Sequence, residues 1–167
     1  MPEVQPAARM RPPMRFLAVF FALAAASGCG KEIGDACVIH PDCSPNGDRI
    51  CLDNTSGDGY CTIQGCDYAT CPEEAVCVRF FTGGFENRDC ASDDDCSLDE
   101  LCTLAGKCAP RSSEVRYCMR VCDSQDDCRD NYECRDIALM RLHGGEPVLE
   151  PGRVVDAGAP KFCAHAP

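Results

Sequence analysis

The chain has 167 residues and carries 16 basic against 27 acidic side chains, a formal charge of −11. That balance argues against nucleic acid and against direct binding to anionic lipid headgroups, since both need basic patches. Seventeen cysteines argue for a disulfide scaffold in an oxidising compartment and against a cytosolic protein.

Residues 1–28 read as a signal peptide. Arg9, Arg11 and Arg15 precede "FLAVFFALAAA" (16–26), an uncharged apolar run too short to span a bilayer but of signal length. Its removal takes away three Arg and one Glu and leaves 139 residues with a net charge of −13. Leu, Ile, Val and Phe make up only about 17 per cent of that remainder, which by itself reads as disorder. Cysteine overturns this default, because each crosslink lowers the entropy of the unfolded chain, typically by about 2–4 kcal/mol of stability. A small core then suffices.

At the end of the apolar run stand Ala26, Ser27, Gly28 and Cys29. Small residues before a cysteine at this place resemble the lipobox of bacterial lipoproteins, although that family prefers Leu where Ala26 stands. The resemblance implies that Cys29 carries a thioether-linked diacylglycerol and becomes the mature N-terminus. Gly30 carries none of the best-known inner-membrane retention signal, so the outer membrane is expected, on its periplasmic or external face. Residues 29–36 then form the lipidated N-terminus and a short tether.

Setting Cys29 aside leaves an even set of 16: Cys37, Cys43, Cys51, Cys61, Cys66, Cys71, Cys77, Cys90, Cys96, Cys102, Cys108, Cys118, Cys122, Cys128, Cys134 and Cys163. Eight disulfides with nothing left over are expected, their connectivity open. "CVIHPDC" (37–43), "CASDDDC" (90–96) and "CDSQDDC" (122–128) share the pattern C-x4-D-C, and each is followed by a third cysteine. "CDYATCPEEAVC" (66–77) is a degenerate fourth copy. The fold class expected is small and disulfide-rich: tandem short knots of β-hairpins and turns with little regular secondary structure. A division into knots at 37–65, 66–89, 90–117 and 118–167 fits the spacing, and the units are free to interlock.

Along the chain, "DNTSGDGYC" (53–61) reads as a turn cluster leading into a strand, and "VCVRFFTGGFEN" (76–87) as a β-hairpin about Gly83-Gly84. "SLDELC" (97–102) suggests one helical turn. The cysteine-free stretch 135–162 reads as an extended hairpin or a long loop, of the kind that carries function. Asn54 in "NTS" fits a glycosylation sequon, which in a bacterial lipoprotein is accidental.

Zinc and thiol redox chemistry favour C-x2-C pairs, and none occurs; His40, His143 and His165 show no ligand spacing. No metal ligand is therefore assigned. "DCASDDDCSLDE" (89–100) and "CDSQDDCRD" (122–130) are rich enough in carboxylates to raise structural calcium. The order of an EF-hand is absent, and Asp95 and Asp127 better suit a side chain that bonds its own turn. No G-x-S-x-G, H-E-x-x-H or phosphate loop occurs, so no catalytic residue is assigned and no enzyme is expected.

Phrases such as "GDACVIHPDC" and "DCRDNYEC" resemble the repeats of cysteine-rich bacterial surface lipoproteins. The C-x5-C-x5-C unit is also weakly similar to the N-terminal cysteine-rich half of Dickkopf-type secreted proteins. Together these imply a lipid-anchored cell-envelope module that binds a protein, a cell-wall component or an extracellular ligand. The alternatives are a knot-type inhibitor or decoy presenting loop 135–162 to a protease or toxin, and a calcium-dependent surface module.

Overall fold

The computed structural model describes residues 30–52, 59–83 and 88–167. The signal segment, the lipobox-like residues with Cys29, the turn cluster at 53–58 with Asn54, and residues 84–87 lie outside the described residues.

The elements are short. In chain order they are β1 (Ala36–Cys37), α1 (His40–Cys43), β2 (Ile50–Leu52), β3 (Gly59–Thr62) and β4 (Ala75–Phe81). There follow β5 (Glu100–Cys102), β6 (Cys108–Pro110), β7 (Glu114–Arg120), β8 (Tyr132–Arg135), α2 (Ile137–His143), β9 (Glu146–Pro147) and β10 (Phe162–His165). The strands form two three-stranded sheets, β1-β3-β2 and β7-β4-β9, and two two-stranded ribbons, β5-β6 and β8-β10. Every pairing is antiparallel.

All 16 cysteines after Cys29 are joined in eight disulfides, and one rule orders them. In each set of four, the first bonds the third and the second bonds the fourth. The sets are Cys37–Cys51 with Cys43–Cys61, Cys66–Cys77 with Cys71–Cys118, Cys90–Cys102 with Cys96–Cys108, and Cys122–Cys134 with Cys128–Cys163. The third and fourth cysteines always stand directly opposite each other on paired strands: Cys51 and Cys61, Cys77 and Cys118, Cys102 and Cys108, Cys134 and Cys163. Directly opposed residues share a face of the ribbon. Both sulfurs therefore meet the turn that carries the first two cysteines.

That turn is built by the aspartate before the second cysteine. Asp42 Oδ2 accepts the N–H groups of Val38 (2.8 Å) and Ile39 (3.1 Å). Asp95 does the same for Ala91 and Ser92, and Asp127 for Asp123 and Ser124. In the second set Thr70 stands in its place, accepting the Asp67 N–H at 2.8 Å. A second side chain caps the outer strand: the N–H of the third cysteine is accepted by His40 Nδ1 on Cys51, Asp93 on Cys102 and Gln125 on Cys134. Free edge groups invite pairing with other chains, and these side chains occupy them.

The units interlock. The whole third set, Cys90 to Cys108, lies between Cys77 and Cys118 and so forms the connection of the β4–β7 pair. Tyr60 ties the first unit to the others. Its hydroxyl accepts the Arg120 N–H at 2.8 Å, and its ring stacks on Tyr132 at 5.2 Å. Ile33, Val78, Met119, Met140 and Phe162 complete the main core. Ile33 is fully buried and the Gly34 N–H bonds Cys61 O at 2.9 Å, so the segment expected as tether docks on the body at these two residues, while Lys31, Glu32 and Ala36 stay exposed.

Three local expectations are corrected. The strand of "VCVRFFTGGFEN" forms, but β4 is a central strand whose partners are the remote β7 and β9. "SLDELC" is a turn followed by strand β5, because Cys102 has to lie opposite Cys108; the helical turn sits earlier, at Asp93–Asp95. Stretch 135–162 is not an extended hairpin: closed at its base by the pairing of Arg135 with Phe162, it carries α2 and β9 and then runs without helix or strand from 148 to 161. Asp136 Oδ1 accepts the N–H groups of Ala138 and Leu139, both at 3.0 Å, and starts α2, which buries Met140.

Candidate functional site

The β7-β4-β9 sheet has two unlike faces. Val78, Phe80, Val115, Tyr117 and Met119 alternate onto the apolar side, with Phe80 edge-on to Phe162 at 6.3 Å. Arg79 and Arg116 stand directly opposite each other and so share the other side. Like charges in that relation destabilise a sheet, and each has its own counter-charge. Glu146, which is 4% exposed, takes Arg79 Nε at 3.0 Å and Nη2 at 2.7 Å on Oε2. Arg116 pairs with Glu114 and, at 3.0 Å, with Asp67. The hydrogen bond to Glu114 and burial act in opposite senses on Arg116, and the net effect raises its pKa.

Above this arginine face lies a groove of about 660 Å³. One wall is the third knot, with the Cys90–Cys102 bridge, Asp93 and the turn 103–106; the other is segment 146–155. The two walls are joined at Glu146, whose Oε1 accepts the Leu104 N–H. Segment 146–155 is held at both ends. The Val148 N–H bonds Cys77 O at 2.8 Å, and Val148 and Val155 pack against the main core. Between them Glu150 to Arg153 form a tight turn closed by the Arg153 N–H on Glu150 O at 3.0 Å, with Pro151 second and Gly152 third at φ +87°. Arg153 and Val154 are exposed, Val154 at 78%. Arg141, exposed on α2, completes the lining.

Four arginines from four segments thus converge on one groove of an acidic protein. Sequence reading missed them: they are scattered from position 79 to 153 with no motif. The only trace is Arg79 and Arg116, each a charge within an apolar strand.

The sequence-assigned cysteines form the frame. In each set three sulfurs gather within 4.8 Å, and all are already in disulfides, so they offer no thiolate to a metal. The acidic runs are turn formers where they precede a cysteine. Two backbone donors hold Asp95 below its ordinary pKa, as Val38 and Ile39 do for Asp42 and as Ser124 and Asp123 do for Asp127. Asp93, in the groove wall, is taken by the Cys102 N–H and by Arg111 at 3.3 Å. His143 Nδ1 lies 2.6 Å from Glu133 Oε1, which also takes Arg135 Nε at 2.8 Å, outside the groove lining.

No family model matches the chain, and no curated protein or solved structure matches it significantly.

Proposed function

We propose that the chain is a lipid-anchored, disulfide-stiffened binding module of the bacterial cell envelope, with the arginine-floored groove as its ligand seat. The observation that carries this reading is the groove itself. Four sequence-distant segments build it on a frame whose every described cysteine is crosslinked. Its volume lies in the range of sites for small ligands and short peptides. Anchoring rests on the lipobox-like residues Ala26 to Cys29. With Ile33 and Gly34 docked on the body, a lipid on Cys29 would hold the fold close against the bilayer, without a long spacer.

The test has two parts. Mass spectrometry of membrane-extracted protein should find Cys29 acylated and no free thiol; an unmodified Cys29 removes the anchor. A photo-crosslinking residue at Val154, on the groove lip, should capture one discrete envelope partner in living cells. The same residue at Leu98, fully exposed outside the groove lining, should not. Equal labelling from both positions, or none from either, rejects the binding reading.

One observation favours the inhibitor reading as second: the exposed tip Glu150 to Val154 is clamped at both ends, as a loop offered to a protease must be.

A further inference from the structure

The described arginines divide unevenly. Arg49, Arg79, Arg88, Arg111, Arg116, Arg120 and Arg135 each lie within 4.0 Å of a carboxylate. Arg129 lies over the Tyr132 ring at 4.3 Å. Lys107 pairs with Asp89, while Lys31 and Lys161 reach backbone carbonyls. Among the described residues, Arg141 and Arg153 alone of the arginines have no ion pair or ring contact, and both line the groove. In a chain with 27 acidic and 16 basic side chains, an arginine without a carboxylate is the exception. The charged lining is four arginines against Asp93, Glu146 and Glu150. With Arg79 and Arg116 neutralised by their own partners, Arg141 and Arg153 give the groove a positive balance in an acidic chain.

We infer that the groove receives a segment of a partner protein in which carboxylates alternate with apolar side chains, and that Arg141 and Arg153 meet those carboxylates. This rests on the binding-module reading above. Guanidinium groups bind carboxylates through paired N–H donors. The walls add Leu104, Val148, Leu149 and Val155, which a lone small anion would leave wet and a peptide covers. A groove of about 660 Å³ is also far larger than one phosphate. Nucleic acid and anionic membranes are repelled by the chain's net charge outside the groove. Asp93 and Glu146 in the lining are already neutralised, and Glu150 at the exposed turn sets a limit on how much negative charge the outer end tolerates.

The experiment uses the mature, oxidised protein in detergent and three fluorescent hexapeptides of alternating Glu-Leu, Gln-Leu and Lys-Leu. Fluorescence anisotropy should show saturable binding of the Glu-Leu peptide and at least about tenfold weaker binding of the other two. The double variant Arg141→Gln/Arg153→Gln should lose about tenfold in affinity for Glu-Leu. Arg120→Gln, outside the groove, should change nothing. Both arginines of the double variant are exposed, so circular dichroism should stay that of the wild type.

Equal binding of all three peptides overturns the inference, as does an unaffected double variant. Displacement of the peptide by inorganic phosphate at equal concentration reassigns the groove to small anions. Preferential binding to vesicles of anionic lipid reassigns it to headgroups. If the double variant keeps the Val154 cross-link to the envelope partner, the module reading stands and this assignment falls. If the Glu-Leu peptide binds while no cross-link forms even in the wild type, the assignment stands and the module reading falls.

Discussion

Glu146 and Leu104, 42 residues apart, are joined by the hydrogen bond that docks the third knot onto the β7-β4-β9 sheet. The same carboxylate grips Arg79 through two donors. Replacing it leaves a backbone N–H without its acceptor and Arg79 facing Arg116 with no counter-charge. Glu146→Ala should therefore lower stability by about 3 kcal/mol, read as a shift in the urea midpoint with disulfides intact. Hydrogen exchange should localise the loss to the Leu104 amide and its turn. Unchanged protection at Leu104 would show that the third knot docks by other means.

The class of the fold was legible because cysteine content alone sets it, and the turn role of Asp95 and Asp127 because it is a local pattern. What lay hidden was the pairing order. The third and fourth cysteines face each other across a hairpin, and the cost of closing a hairpin loop grows only slowly with its length. Cys102 and Cys108 are thus close in sequence, while Cys77 and Cys118 enclose an entire knot and look unrelated. The caps at His40, Asp93 and Gln125 were hidden for another reason: three different side chains perform one task, so no residue recurs. The arginine groove has no local signature, since strand register and a folded-back helix assemble it.

Gly59 lies against the Cys37–Cys51 bridge. A Cβ there would stand 2.4 Å from Cys37 O and 2.4 Å from Cys51 Sγ, neither of which is the end of a flexible side chain. Gly59→Ala should cost about 3 kcal/mol, the upper range for overpacking, and should slow closure of that bridge. Thiol labelling of freshly refolded protein should find Cys37 and Cys51 free more often than in the wild type. Normal closure with unchanged stability would mean that β3 shifts to make room.

Asp42, Asp95 and Asp127 have carboxyl pKa values below the ordinary 3.8 because each accepts two backbone N–H groups. A group whose folded pKa is depressed stabilises the fold above its unfolded pKa and loses that contribution as pH falls through the folded value. The melting temperature should therefore be flat from neutral pH to about 5 and fall below about 4. Asn keeps the acceptor oxygen without titrating. The triple Asp→Asn variant at 42, 95 and 127 should show a shallower acid limb, and an equally steep one would place the acid sensitivity elsewhere.

Cys71–Cys118 closes the longest loop, with a sequence separation of 47 against 12 for Cys90–Cys102. Chain entropy assigns the two bridges about 4 and about 3 kcal/mol. The location of the damage should differ more than its size. Cys71→Ala/Cys118→Ala should loosen β4, β7 and the inserted knot together, because that bridge brackets all three. Cys90→Ala/Cys102→Ala should loosen the inserted knot alone. Exchange protection across β7 separates the two outcomes, and equal loss from both variants would contradict the nested arrangement.

Arg153 is the exposed arginine at the tip of a turn, and it is followed by a chain with no regular hydrogen bonding as far as the turn at 157–159. Other described arginines lie in strands, helices or ion pairs or, for Arg129, over the Tyr132 ring, and Lys31, Lys107 and Lys161 are tied to Ala36 O, Asp89 and Asp123 O, contacts that resist entry to a protease cleft. Trypsin should nick the native protein first between Arg153 and Val154. The fragment 154–167 should stay attached through Cys128–Cys163, so the native mass rises by one water and the pieces part only on reduction. Arg153→Gln should abolish the first cut. The inhibitor reading expects the opposite kinetics: trypsin would be held in a stable stoichiometric complex and turnover of a small substrate would fall. Rapid, complete nicking with trypsin left fully active removes that reading and leaves the loop as a wall of the arginine-lined groove.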